Sequence, residues 1–371
     1  MENTNNQEYP LYIRVANIFI AIMALFYVLY IGQSIILPLV YAAIFAILLN
    51  PMVNWLIAKK MNRALAIFII LSLATIVSIG ILYFISSQIM VFGETFPQFK
   101  VQFGQLMKEF FAWISHTFNV KTTKINAWVE QVKSQGLDNS TVVIGQTLST
   151  IGSVLAIIFL VPVYIFMMLF YKPLLLDFMG QLFHRDKHGA VVEVLAATKS
   201  LIQSYLVGLI LEVIIVAIMN ITALMILGVE YAVLLGLIGA LLNMIPYIGG
   251  LVAISLPVLV ALATQSPATA GLVVVAYIII QLIDNNIVMP KVVASKVKIN
   301  ALVSIVVVLI GGAIWGIPGM FLSIPLTAII KVIFDRIEHL QPWGFLLGDT
   351  MPPIGKTIFY FRQKGKKVKV E

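Results

Sequence analysis

The sequence predicts an all-α polytopic membrane protein: about six full spans plus two re-entrant helical hairpins, eight membrane segments in all, with an inverted-repeat-like C-terminal half. Three observations carry that prediction. Of 371 residues, 61% are hydrophobic and only 11% are charged, with a mean hydropathy of +1.02. A chain this apolar has too little polar surface to cover a soluble globule. The 53 residues from Tyr231 to Ile283 contain no Asp, Glu, Lys, Arg or His, whereas about 20 apolar residues already cross the roughly 30 Å hydrocarbon layer. That run must turn, and Met244-Ile245-Pro246-Tyr247-Ile248-Gly249-Gly250 lies at its middle. A second uncharged run, Ile299 to Ile330, breaks at Gly311-Gly312-Ala313-Ile314-Trp315-Gly316-Ile317-Pro318-Gly319. Broken backbone at membrane depth is tolerated only where protein or a water-filled cavity covers it. Two such breaks point to a transport pathway.

Taken in order, apolar runs bounded by charges place spans at about 11–31, 34–57, 64–91, 147–171 and 204–228, with a sixth at about 269–289. Pro38 and Pro51 predict an irregular second span. Met1 to Pro10 carries Glu2 and Glu8 and no basic residue before Arg14, unlike the start of a cleaved signal, so the first apolar segment is expected to be a retained anchor. Lys59, Lys60 and Arg63 follow span two, and Lys172, Arg185, Lys187 and Lys199 follow span four. Basic loops near span ends face the cytoplasm. Both termini are then expected inside, with 92–146 on the far side.

Counting crossings tests the two broken runs. A single crossing by 231–264 would put Lys291, Lys296 and Lys298 outside, against the charge rule. If that segment enters and returns, the cluster is cytoplasmic, and so is the tail with Lys356, Arg362, Lys364, Lys366, Lys367 and Lys369. Arms of about 13–17 residues suit re-entrant hairpins, though two very short full spans per run preserve the same count. The resulting unit, a span followed by a Gly/Pro-tipped hairpin, occurs at 204–264 and, inverted, at 269–334. Inverted pairs of this kind converge near the midplane in many secondary transporters. Five regions follow: 1–91 with spans one to three, 92–146 as an extracytoplasmic amphipathic helical segment, 147–203 with span four and a basic helix or loop, the transport unit 204–338, and the basic tail 339–371.

In the 92–146 segment Phe96, Phe99, Phe103, Leu106, Phe110 and Trp113 form one helical seam. Such a seam packs on the chain's own helices or the lipid interface, or else on another protomer or an external protein. Several chemistries are dismissed. With no cysteine there is no disulfide, thiol catalysis or Cys-based zinc site. Thr350-Met351-Pro352-Pro353-Ile354-Gly355-Lys356-Thr357 lacks the first glycine of a phosphate-binding loop. His184 and His188 lack the glutamate of a zinc protease helix, His116 and His339 are isolated, and Asn139-Ser140-Thr141 is a chance-level sequon. The net charge of +8 comes from short basic clusters beside apolar runs, which fits lipid headgroups rather than nucleic acid. No enzyme activity, cofactor or metal is expected.

The residues expected to line a pathway are those polar or conformationally special at depth. Glu212 lies about 12 Å into span five at 1.5 Å per residue, where a carboxylate costs roughly 2.5–3.5 kcal/mol unless it faces protein or water. Asp284 lies late in span six, beside Gln281, Asn285 and Asn286. A poorly solvated carboxylate suits proton exchange, and amide oxygens beside it suit sodium or a polar solute; the bland reading is that each merely bonds a neighbouring helix. At the tips, Asn243 precedes Pro246, Tyr247, Gly249 and Gly250, and the second break holds Gly311, Gly312, Gly316, Pro318 and Gly319. These glycines permit unusual turns and close approach while the prolines free backbone groups; close helix packing through small residues is the alternative.

The same tips carry a family resemblance. Asn243 through Gly250, Asp284 through Pro290-Lys291, and Gly311 through Met320 with Pro325 resemble the autoinducer-2 exporter family of bacterial membrane proteins, also described as PerM-like permeases. The match runs from about 11 to 338, with Glu212 and Ala294 as departures from the usual pattern. The resemblance implies a multi-pass transporter of the bacterial cytoplasmic membrane and a homo-oligomer, with export of autoinducer-2 or sodium/proton exchange as associated activities. The function expected is gradient-driven export of a small polar solute, coupled to H+ or Na+ and working in the lipid bilayer. A cation/proton antiporter is the near alternative; a non-transporting scaffold or a passive channel is the alternative of another class.

Overall fold

The computed structural model describes residues 10–118, 159–245, 249–294, 298–350, 359–363 and 366–370. Its membrane part is all-helical: α1 (Leu11–Ile31), α2 (Gln33–Ala58), α3 (Arg63–Phe118), α4 (Phe159–Phe170), α5 (Lys172–Leu182), α6 (His188–Ile226), α7 (Ala232–Asn243), α8 (Gly249–Thr264), α9 (Pro267–Ile283) and α10 (Ala301–Phe334), followed by the short α11 (Gln341–Leu347). The tail adds an antiparallel hairpin, β1 (Phe359–Gln363) with β2 (Lys366–Val370), in which Phe359 faces Val370.

Among the described residues six helices are long and apolar enough to cross a membrane, or seven if the bent pair α4 and α5 is one span. The membership of that set differs from the expected one. Span four is described only from Phe159, and it meets α5 at a 64° bend. Ala301–Phe334 qualifies by length, but it is broken at Gly316.

Two helices are longer than their spans. α3 runs 56 residues, about 84 Å, so the third span and the start of the amphipathic segment are one helix. The seam side chains from Phe96 to Trp113 lie outside the described residues, as does the Asn139 sequon. α6 runs 39 residues and joins the basic 188–203 stretch to span five without a break. Pro38 and Pro51 both sit inside one continuous α2. Between α1 and α2 only Gly32 intervenes, with φ −77° and ψ 5°. α1 buries none of its side chains.

Polar side chains gather the charged ends. Arg63 donates to Leu169 O (2.6 Å), Lys172 to Asn50 Oδ1 (3.1 Å) and Gln203 to Ile47 O (2.7 Å). The two basic connections that the charge rule assigned to one side therefore share one end of α2. Below them, Ala42, Ala46, Val53, Ala66, Ile67, Ile165 and Leu169 pack α2, α3 and α4 together.

Both broken runs fold back on themselves. Gln265 Nε2 donates to Gly228 O, tying the end of α8 to the approach to α7, and Val229, Ala232, Leu235, Val260 and Ala261 pack there with α9. In α10, Gly316 adopts φ 62° and ψ −146°. A straight 34-residue helix would hold its ends about 51 Å apart. Instead Asn300 donates to Leu346 O (2.7 Å) and Gly348 O (3.0 Å), while Asp335, at the other end, lies against Gly344. Both ends of α10 thus meet the same short α11. The arms touch closely: a Cβ at Gly311 would strike Ser323 and the Gly319 carbonyl, and one at Gly312 would strike Met320.

Candidate functional site

The local sequence explains why α9 delivers its polar residues where it does. Ser266 caps α9 by accepting from Thr269 N (3.2 Å), and Pro267 fits the first turn, where its missing N–H is not needed. From there an apolar helix carries Tyr277, Gln281 and Asp284 down one side, at steps of four and three residues. At Asp284 the winding loosens into two π-helical stretches, Asp284–Val288 and Pro290–Ala294. Pro290 supplies no N–H, and wide turns of this kind recur at functional sites.

Asp284 is 2% exposed and Glu212, from α6, is 6% exposed. Their negative charges lie within electrostatic range of each other, and Tyr205 is within range of Glu212. Among the described residues neither carboxylate has an ion-pair partner; the ion pairs are Lys331–Asp335 and Arg336–Glu193, both elsewhere. Asn243 Nδ2 donates to Asp284 Oδ2 (2.8 Å), while Asp284 Oδ1 is buried without a hydrogen-bond partner. A buried charge left half-satisfied is expensive. Its free oxygen is the feature of this site that most requires an explanation.

The two arms of the first break reach this site through Asn243, bonded to Asp284, and Gly250, against Gln281. α7 ends at Asn243, where its last turn closes through Met244 N to Leu241 O (3.3 Å) and Ile245 N to Leu242 O (2.9 Å), and α8 starts at Gly249, whose N–H donates to Ile245 O (2.9 Å), so helix ends of opposite partial charge meet at the first break. Glycine is required at Gly249, where the close neighbour is backbone, whereas at Gly250 it is the movable end of the Gln281 side chain. A Cβ at Gly249 would collide with the Leu242 carbonyl, and one at Gly250 would come within 2.6 Å of Gln281 Oε1. Gln281 Nε2 in turn donates to Asn285 Oδ1 (3.2 Å).

Of the residues named from sequence, Glu212, Asn243, Gly249, Gly250, Gln281 and Asp284 are brought together at the junction of α6, α7, α8 and α9. Asn285 joins through Gln281 but is itself exposed, and Asn286 is exposed with its amide on Leu282 O (2.8 Å). Pro246 and Tyr247 lie outside the described residues. The second break has contacts of its own. Gly311, Gly312 and Gly319 serve arm-to-arm contact; Trp315 Nε1 donates to Leu29 O (2.9 Å) and Pro318 O accepts from Tyr41 (3.1 Å), while Gly316 makes the turn in open space. An apolar cluster links the two tips: Tyr205, Leu206, Leu209 and Leu322, with Met244 and Trp315 packed against it.

Sequence reasoning missed Asn220 and Tyr277, buried polar residues on α6 and α9. Asn220 is an uncharged polar residue inside an apolar run and was legible as such. Tyr277 gave no signal distinct from a membrane aromatic.

Comparison with known proteins gives this geometry a setting. YueF of Bacillus subtilis (strain 168) is 28% identical over 328 residues, covering 83% of this chain and 85% of that protein. The AI-2 transport protein TqsA of Escherichia coli (strain K12) is 27% identical over 322 residues, covering 86% and 90%. PerM of Escherichia coli (strain K12) is 28% identical over 224 residues, covering 59% and 62%. The description that matches residues 18–339, and so includes every helix of the carboxylate junction, is that of the AI-2E family transporters, and to that family of multi-span membrane transporters the chain belongs.

Proposed function

We propose that the chain is a secondary transporter that exports a small polar solute, such as an autoinducer-2-like signal, using a proton or sodium gradient. The observation that carries this reading is the buried pair Glu212 and Asp284, unpaired with any cation among the described residues and seated where two half-helices end. Two like charges in one dry place favour uptake of a cation or of one shared proton. Binding or loss of that cation changes the charge at the first tip. The tip and α6 then have reason to rearrange, which is what coupling requires.

In this reading the two folded-back runs are re-entrant hairpins entering from opposite faces of the bacterial cytoplasmic membrane, with the C-terminal tail on the cytoplasmic side and copies of the chain assembled as a homo-oligomer. The family resemblance supports the solute class through TqsA, named for AI-2 transport. A second reading, a sodium/proton antiporter, draws on the same carboxylate pair, which suffices for exchange without any organic solute.

Flux in liposomes tests both. Collapse of an imposed pH or sodium gradient should stop autoinducer-2 movement. Asp284→Asn keeps the shape and the Asn243 contact but removes the charge, and it should abolish dependence on the gradient. Gradient-driven flux of Asp284→Asn equal to that of the parent chain at every pH would remove Asp284 from the mechanism. Sodium/proton exchange with no solute flux would select the second reading.

A further inference from the structure

A second set of unsatisfied polar atoms lies away from the carboxylates. Asn220 is 2% exposed and Tyr277 is 7% exposed. Asn220 Oδ1 and Tyr277 Oη are both buried with no hydrogen-bond partner. The two side chains share Gly239 of α7 as a neighbour: a Cβ there would lie 3.1 Å from Asn220 Nδ2 and 3.4 Å from Tyr277 Oη. Asn220 Nδ2 is only weakly occupied, by Gly236 O at 3.4 Å. Tyr277 precedes Asp284 by two helical turns on the same side of α9, about 10 Å along the axis. The line from the carboxylates to this pair runs beside α7 toward the end where Gln265 meets Gly228.

We propose that Asn220 and Tyr277 form a second polar station on the transport path, one that binds a hydroxyl group. The chemistry selects that ligand. Asn220 Oδ1 only accepts, whereas Tyr277 Oη both donates and accepts. A hydroxyl placed between them donates to the first and accepts from the second, which satisfies both orphaned atoms. An anion would face the amide oxygen, and a cation would find two neutral oxygens and no countercharge, so neither repays its desolvation. The hydroxyl comes from the solute or from water in the path. The station rests on the reading that the Asp284 junction is a transport site. Its competitor is an interhelical tie in which Asn220 does no more than hold α6 to Gly236.

The chain has no cysteine, so a single introduced thiol reports alone. The full chain in liposomes carries Asn220→Cys or, one turn earlier, Ala217→Cys in a purely apolar contact. A small charged methanethiosulfonate should label Asn220→Cys and leave Ala217→Cys untouched. Tyr277→Phe, Asn220→Leu and Gly239→Ala, the last crowding both side chains with a methyl, should each raise the half-saturating autoinducer-2 concentration about tenfold, as the loss of one hydrogen bond does. Gly271→Ala, on the same helix in open space, should change nothing.

Protection of Asn220→Cys by autoinducer-2 identifies the solute's hydroxyl as the ligand. Labelling without protection, with slower flux in Tyr277→Phe at unchanged half-saturation, identifies water. An unlabelled Asn220→Cys with altered melting but unaltered flux overturns the station and leaves the interhelical tie. If the parent chain moves no autoinducer-2, labelling alone decides: an unreactive Asn220→Cys overturns the station, whatever becomes of the solute. If Asp284→Asn abolishes coupling while all three station variants transport normally, the station falls and the carboxylate site stands.

Discussion

Whether Ala301–Phe334 is one long span or a folded-back hairpin turns on Gly316, and a single methyl group decides it by sign. Gly316 has φ 62° and ψ −146°, a region open in practice only to glycine, and a Cβ there would find no atom within 4 Å. Gly316→Ala therefore adds no clash, and its whole effect is on the backbone. Forcing an L-residue into such a conformation costs on the order of 1–3 kcal/mol. In a straight helix the same change removes a glycine from the interior and stabilises by about 1 kcal/mol. Unfolding in mixed micelles, with helix content followed by circular dichroism, should show Gly316→Ala less stable than the parent by about 1–3 kcal/mol. A variant as stable as the parent, or more so, would refute the hairpin. It would also detach Asn300 and Asp335 from their common neighbour α11.

Other perturbations separate packing from chemistry. Gly249→Ala drives a methyl into the Leu242 carbonyl and should cost about 1–3 kcal/mol in the same unfolding assay, whereas Gly80→Ala, in open space, should be neutral or stabilising. Asn300→Ala removes a cap that accepts from Val303 N (2.8 Å) and two donations to α11, so it should lose about 1–2 kcal/mol; protection of the 341–347 amides from hydrogen exchange should fall with it. Lys172→Met strands the buried Asn50 Oδ1 and should cost about 1–3 kcal/mol. Adding Asn50→Leu should restore most of that loss; if the double variant is no better than the single, the bond is not what holds the α4–α5 junction to α2.

Uncharged runs and their glycine-proline breaks made the membrane helices and both reversals legible, because lipid forbids charge and irregular backbone alike. Burial of Glu212 and Asp284 was legible for the same reason. Other features are set by forces that leave no such mark. The basic stretch before span five reads as a helix or a loop, but charge does not break a helix, and nothing between Ala190 and Val207 is glycine or proline, so α6 runs straight through Glu193 and Lys199. Asn285 and Asn286 stand beside Asp284 in sequence but are carried outward by the roughly 100° each residue adds around a helix. The loosening of α9 into π turns has only Pro290 as a trace. Nothing local announces that Tyr277 and Asn220, 57 positions apart, face one glycine.

The two breaks, alike in sequence, are unlike in company, and that difference bears on how a transport cycle works. At the first break Asn243 meets Asp284 and Gly250 meets Gln281, and its arms rest on α6 and α9. The second tip is tied by Trp315 Nε1 donating to Leu29 O and Tyr41 Oη donating to Pro318 O, and its buried hydroxyls, Ser323 and Thr327, are spent within their own arm on Gly319 O (2.7 Å) and Ser323 O (2.7 Å). A hairpin whose polar groups are satisfied internally has no chemical reason to respond to an ion. One that faces a half-satisfied aspartate does. On the proposed reading, the ion acts on the first hairpin, and α6 transmits the change through Tyr205, Leu206 and Leu209 to Leu322 of the second. Packed apolar contacts of that kind shift between discrete arrangements rather than deform smoothly, so on that same reading the second hairpin would move as a body, exchanging its bonds to Leu29 O and Tyr41.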